Sequence, residues 1–186
     1  MFSDAIAPAA AELGALIIDR GTESGVTTIM GEAVAQDGRR CQLLGIALAG
    51  KVTYPGSPGD AGSADGAALE PNHSHFVLVE SNEWGDETRT ILELARTFDG
   101  PIVAILVNGG AIAAHEALQS MRNRWQLIVL EGSGRFADEL SAAIRDGQVA
   151  KSANVSEIAR SGRIDLFHVD DAPKKLSDAL RQMLRG

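Results

Sequence analysis

The sequence predicts an α/β fold, a three-layer αβα sandwich around a mostly parallel sheet, and three observations carry that prediction. Short apolar runs of strand length recur along the chain, helical spacing separates most of them, and three of them lead straight into glycine-rich turns. Strands alternating with helices imply right-handed crossovers and a parallel sheet covered on both faces. The carboxyl ends of such strands lie on one edge, so turns far apart in sequence are expected to line a single crevice.

Ser3 to Leu13 is alanine-rich, with Ser3 placed to cap a first helix and Gly14 to stop it. Leu16 to Asp19 reads as a short buried strand that feeds the first glycine turn. Val26, Ile29, Met30, Ala33 and Val34 recur at helical spacing, and Asp37-Gly38 closes that helix. Cys41 to Ala49 is the second apolar run. From Gly50 to Leu69 the composition turns to Gly, Pro, Ser, Ala and Asp without periodicity, so residues 50–69 read as a long loop, either a functional lid or partly disordered. A strand follows at His75 to Glu80, then an amphipathic helix from about Asp86 to Phe98, and Asp99-Gly100-Pro101 breaks the chain before the strand Ile102 to Val107. Helices at Ala111–Arg122, Arg135–Arg145, Val155–Arg160 and Leu176–Leu184 alternate with strands at Leu127–Leu130 and Ile164–Val169. No internal repeat and no linker divides residues 1–186, which are expected to form one domain.

Composition narrows the classes of function. With 186 residues, 45% hydrophobic and 23% charged, the chain has enough apolar surface for one sizeable core. A net charge of −8, with no cluster of Lys and Arg, argues against a nucleic-acid partner, because that binding relies on neutralising phosphates. No apolar stretch is long enough to span a bilayer, so no membrane insertion is expected. The single cysteine, Cys41, sits in an apolar run and reads as a buried small side chain, in keeping with a reducing cytoplasmic location.

The glycine turns are Arg20-Gly21-Thr22-Glu23-Ser24-Gly25, Asn108-Gly109-Gly110 and Glu131-Gly132-Ser133-Gly134-Arg135. Each precedes a predicted helix, whose first N–H groups are unpaired and carry partial positive charge, while glycine lets a phosphate approach the backbone. That combination points to a phosphorylated small molecule. In the first turn Gly21 and Gly25 supply backbone and Thr22 and Ser24 supply hydroxyls, with Ser24 also placed to cap the helix. Gly109 and Gly110 extend the cradle, with Asn108 able to hydrogen-bond a ribose or base. In the third turn, Gly132, Ser133 and Gly134 lead to Arg135, whose guanidinium gives planar, bidentate anion contacts. Asp138, one helical turn on, is placed either to orient that guanidinium or to make a weak surface pair. Asn72 and His73 are expected to hydrogen-bond backbone or ligand where the third strand begins, and no metal is expected because His73 and His75 lack a third ligand nearby.

Four stretches together resemble a known group: Gly25-Val26-Thr27-Thr28-Ile29-Met30-Gly31-Glu32, the run Leu69 to Val79 containing Asn72-His73-Ser74-His75-Phe76, the turn Asn108-Gly109-Gly110, and Glu131-Gly132-Ser133-Gly134-Arg135-Phe136-Ala137-Asp138. In this order they are similar to the SLOG domain, in the branch found in the cytosolic N-terminal region of melastatin-type TRP channels and in prokaryotic relatives. The resemblance implies a Rossmann-like sheet that binds nucleotides or their breakdown products, such as ADP-ribose or NAD, with no other cofactor required. Relatives that self-associate make a homodimer an expectation.

Another branch of that superfamily holds phosphoribohydrolases with a Pro-Gly-Gly-x-Gly-Thr-x-x-Glu signature. Here Asn108-Gly109-Gly110-Ala111-Ile112-Ala113-Ala114-His115-Glu116 occupies its place, which sets Glu116 where the catalytic glutamate falls. Ile112 and Ala113 replace the second Gly and the Thr, and a β-branched Ile resists the backbone geometry that glycine permits. The leading expectation is therefore a domain that binds or senses a nucleotide-derived ligand. The alternatives are an enzyme that cleaves the N-glycosidic bond of a nucleoside monophosphate through Glu116, and an assembly module that binds no ligand.

Overall fold

In a computed structural model, residues 1–54, 66–146, 153–160 and 163–185 are described. The chain forms two compact units, Met1–Phe98 and Asp99–Gly186.

The first unit opens with a π-helical turn over Phe2–Ile6 that continues as α1, Ala7–Leu13. Met1 occupies the N-cap position, so the helix starts ahead of Ser3, which is no cap. Gly14 ends it as expected: at φ +64 it takes the left-handed conformation that glycine adopts without steric penalty, and the Ala15 amide closes back on the Ala10 carbonyl at 2.9 Å. Strand β1 (Leu16–Asp19), helix α2 (Gly25–Gln36) and strand β2 (Gln42–Leu48) follow.

The 50–69 segment carries structure that its composition hides. Strand β3 (Val52–Thr53) pairs in parallel with strand β4 (Ala67–Ala68), while residues 55–65, the bulk of the expected lid-like loop, lie outside the described residues. Two-residue strands leave no period for a pattern to reveal. Strand β5 (His75–Val79) and helix α3 (Glu87–Ala95) complete the unit; α3 stops short of Phe98, which is exposed.

The sheet of this unit runs β1-β2-β5, all parallel, with Leu16 opposite Gln42 and Leu44 opposite His75. Ile46, Ala47 and Leu48 are consecutive and all nearly fully buried, which a strand achieves only when both of its faces are covered. Gly45, in the middle of β2, lets the Gly21 backbone and the Phe76 ring approach. A Cβ there would lie 2.6 Å from the Gly21 Cα and 2.7 Å from the Phe76 ring.

The second unit repeats the scheme with strands β6 (Val103–Val107), β7 (Gln126–Glu131) and β8 (Ile164–His168), again parallel and in the order β6-β7-β8. Helix α4 (Ala111–Arg122) joins β6 to β7, α5 (Arg135–Asp146) and α6 (Ala153–Ala159) precede β8, and α7 (Pro173–Arg185) follows it. Leu127, Ile128, Val129 and Leu130 are buried in succession, so β7 is the covered centre. Ala137 and Leu140 of α5, Leu118 of α4 and Val155 and Ile158 of α6 pack in the same core cluster. Parallel sheets with helical crossovers make the architecture α/β and Rossmann-like, as the sequence predicts. Among the described residues, no helix is long and apolar enough to cross a membrane.

Gly45→Ala places a methyl against backbone that cannot rotate away, so it is expected to destabilise the protein by about 1–3 kcal/mol. Urea denaturation checks this; an unchanged midpoint contradicts the packing described.

Candidate functional site

In the second unit the turns after β6 and β7 are stitched together by hydrogen bonds. Asn108 (φ +55) and Gly109 (φ +91) bend the chain after β6, and Gly132 (φ +81), Gly134 (φ +102) and Arg135 (φ +47) bend it after β7. The Asn108 amide donates to Ser133 Oγ at 2.7 Å, and that hydroxyl donates onward to the Leu130 carbonyl at 2.5 Å. The Ala137 amide reaches the Asn108 carbonyl at 2.9 Å and the Phe136 amide reaches the Gly109 carbonyl at 3.3 Å.

These bonds decide which helix end stays open. The first amides of α5 are occupied by the carbonyls of Asn108 and Gly109, and the Gly132 amide is taken by Asp138 Oδ1 at 2.7 Å. Asp138 therefore braces the turn and does not orient Arg135. Helix α4 has Gly110 as its N-cap with no side-chain cap, and the amides of Gly110, Ala111, Ile112 and Ala113 have no partner among the described residues. Those four N–H groups are the orphan donors of a helix start, backed by the positive end of its dipole.

Arg135 stands beside them. A Cβ on Gly110 would meet its Nη2 at 2.9 Å, so the guanidinium lies over the glycine backbone. It is exposed and makes no ion pair or hydrogen bond among the described residues. Its left-handed backbone is disfavoured by about 1–2 kcal/mol for a residue with a Cβ, and strain of this kind gathers at functional sites. Asn108 Oδ1 is buried and receives no donor from the described residues.

Glu116 lies five residues beyond Ala111 in the middle of α4, about 7.5 Å along the helix axis. It is half-buried and engaged within the protein, and its carbonyl accepts from Ser120 Oγ at 2.9 Å. His115, the residue before it on the same helix, is exposed.

The glycine turn of the first unit is built differently. Gly21 (φ +62) donates its amide to Asp19 Oδ1 at 2.7 Å and accepts the Glu70 amide at 2.9 Å. Thr22 forms an antiparallel bridge with Leu69, and the Glu23 amide reaches the Ala68 carbonyl at 2.8 Å. Thr22 Oγ1 and Ser24 Oγ hydrogen-bond each other at 3.1 Å; Ser24 takes the N-cap position of α2 without a capping hydrogen bond from its side chain, and Gly25 opens the helix at φ +52.

Beneath that turn lies a buried ionic cluster. His73 Nε2 bonds Asp19 Oδ1 at 2.8 Å and His73 Nδ1 bonds Glu70 Oε2 at 2.7 Å, with the imidazole side chain wholly buried and stacked on Phe76. Asn72 donates its backbone amide and its side-chain amide to Glu70, at 2.9 and 2.7 Å, and accepts from Arg39 Nη2 at 2.7 Å. Burial pushes the His73 pKa down, but the hydrogen bonds and charges of Asp19 and then Glu70 outweigh it and hold the pKa above the ordinary histidine value. Protonated, the ring donates from both nitrogens to the two carboxylates.

The chain matches the family described as SLOG in TRPM, prokaryote, over residues 1–178. The protein belongs to the SLOG family. This SLOG domain is 28% identical over 227 aligned positions to Transient receptor potential cation channel subfamily M member-like 2 of Nematostella vectensis, an alignment that covers 95% of the chain and 14% of the relative. It is 28% identical over 176 positions to subfamily M member 2 of Mus musculus, covering 76% of the chain and 12% of that protein. The domain thus spans only a small part of these channels' length. The X-ray structure of TM1055, a structural genomics target, shares the fold with a TM-score of 0.59 at 18% identity, over 95% of this chain and 84% of the other.

Within this SLOG domain, Asn108, Gly109, Gly110, Gly132, Ser133, Gly134 and Arg135 come together as one surface of the second unit. Gly21, Asn72 and His73 converge in the first unit on two carboxylates that sequence reasoning did not single out, Asp19 and Glu70. Asp19 carried a signal, as a charged residue ending an apolar strand. Glu70 carried none, because its place is set by packing against Gly31 of α2, where a Cβ would lie 2.2 Å from its carboxyl.

Two outcomes are expected. Arg135→Gly and Arg135→Ala both remove the guanidinium, but only glycine relieves the left-handed backbone, so the glycine variant should be more stable by about 1 kcal/mol; equal melting temperatures contradict this. Because the His73 pKa is raised by folding, its stabilisation is complete below the unfolded value and is lost as pH rises through the folded one. Melting temperature should therefore fall more steeply in the native protein than in His73→Gln as pH rises above the ordinary histidine range, and parallel curves rule the cluster out.

Proposed function

We propose that this SLOG domain binds a nucleotide-derived small molecule of the ADP-ribose, NAD or nucleotide class, with a phosphate at the amino end of α4 beside Arg135. One observation carries the reading: four backbone amides and a guanidinium, all without a partner among the described residues, lie at the same glycine turn in a chain of net charge −8. Amides at a helix start donate to phosphate oxygens, the helix dipole favours the charge, and Arg adds a bidentate contact. The absence of a Cβ at Gly110 allows the guanidinium and the ligand to share that corner. Ser133 supports the reading indirectly: its hydroxyl is committed to Asn108 and Leu130, so it shapes the turn while the backbone does the binding.

Function in a reducing cytoplasm accords with the buried, unpaired Cys41, whose thiol pKa is pushed up by burial and by the Asp37 charge. The departure at Ile112 and Ala113 from the phosphoribohydrolase signature favours binding over hydrolysis.

Titration calorimetry with ADP-ribose, NAD and AMP, run beside an assay for released base, tests the proposal. Saturable heat without free base is expected, and Arg135→Ala should weaken binding by about tenfold to a hundredfold, the loss typical of a charged hydrogen bond. Free base whose release disappears in Glu116→Gln marks an enzyme instead. Silence from all three ligands marks an assembly module.

A further inference from the structure

We infer that His168 is a second contact residue of the same site and donates a hydrogen bond from Nε2 to a sugar hydroxyl of the phosphorylated ligand. This rests on the phosphate reading above and extends it from the β6 side of the turn to the β8 side.

His168 ends β8 and pairs in register with Glu131, the last residue of β7, which sets its ring beside Gly132. A Cβ on Gly132 would stand 2.8 Å from His168 Nε2, so only glycine at that turn lets the imidazole lie where it does. The ring is held from behind. Its Nδ1 accepts the Asp170 amide at 3.2 Å, the His168 amide donates to Asp171 Oδ2 at 3.0 Å, and the Val169 amide donates to the Glu131 carbonyl at 2.9 Å.

An Nδ1 that accepts a backbone N–H leaves the proton of the neutral ring on Nε2, and protonation adds no acceptor there. Nε2–H is therefore a donor in a fixed position, with no partner among the described residues and, on a side chain that is 45% exposed, open to a ligand from solvent.

Local charge decides what oxygen it meets. Asp170 Oδ2 lies 3.5 Å from Nδ1, and Asp138 holds the Gly132 amide. The nearby cations are already used, Lys175 by Asp171 at 2.7 Å and Arg145 by Glu131 at 2.6 Å. Among the described residues a second phosphate has no unpaired cation at this end of the turn, whereas a neutral hydroxyl incurs no repulsion from the carboxylates. Arg135 marks the anionic end and His168 the neutral end. Arg135 lies over Gly110 on the β6 side of the turn after β7, and His168 lies beside Gly132 on its β8 side.

Calorimetry on the full chain with ribose 5-phosphate and with inorganic phosphate tests this. His168→Ala should weaken ribose 5-phosphate about tenfold, one hydrogen bond's worth, and leave inorganic phosphate unchanged. His168→Gln, which keeps an N–H donor, should recover most of the loss, and Arg135→Ala should weaken both probes. The inference is overturned if His168→Ala binds ribose 5-phosphate as the native protein does, or loses both probes equally. If the native protein binds phosphate but gains nothing from the sugar, the phosphate reading stands and the His168 contact falls. If neither probe binds, both fall.

Discussion

The distribution of backbone hydrogen bonds between two neighbouring turns is the constraint on which the site depends. Left-handed backbone at Asn108 and Arg135, where glycine would be easier, turns the carbonyls of Asn108 and Gly109 toward the amides of Ala137 and Phe136. One helix start is thereby capped by the other turn's backbone, and the start of α4 keeps its donors. Had the carbonyls pointed elsewhere, α5 would compete with α4 for the same anion. The same distortion sets Arg135 over Gly110, so the strain and the placement of the cation have one cause.

The first unit uses a glycine turn for another end. Asp19, His73 and Glu70 form a carboxylate–imidazolium–carboxylate row whose acceptors are filled by Gly21 and Asn72, and the His73–Asp19 link ties the turn to residues 66–76. A buried histidine between two carboxylates is tolerated because each charge has a close partner. Its stabilisation is conditional, since removing the ring proton sets a lone pair against a carboxylate oxygen. Two turns with similar composition thus do different work, and the difference lies in which neighbours reach them.

Most of the architecture was legible in the sequence. Leu16–Asp19 and Ala111–Arg122 have the bounds their patterns predict, because a short apolar run and a helix opened by Gly110 announce themselves locally. Ser3 misled because a capping residue type says nothing of whether the helix begins earlier, and here it begins at Phe2. Strands β3 and β4 were invisible because two residues have no period and their pairing is set by chain distant in sequence. In the site, the glycines and Arg135 were legible as turn chemistry. The bracing role of Asp138, the presence of Asp19 and Glu70 beneath His73, and the position of His168 were not, since each depends on which strand lies next to which.

The most direct measurement is an amide-resolved NMR titration with ADP-ribose. The account predicts that the largest shifts fall on the N–H groups of Gly110, Ala111, Ile112 and Ala113, while Phe136 and Ala137, already bonded to the neighbouring turn, move little. Largest shifts at Phe136 and Ala137, or none at the start of α4, would contradict it.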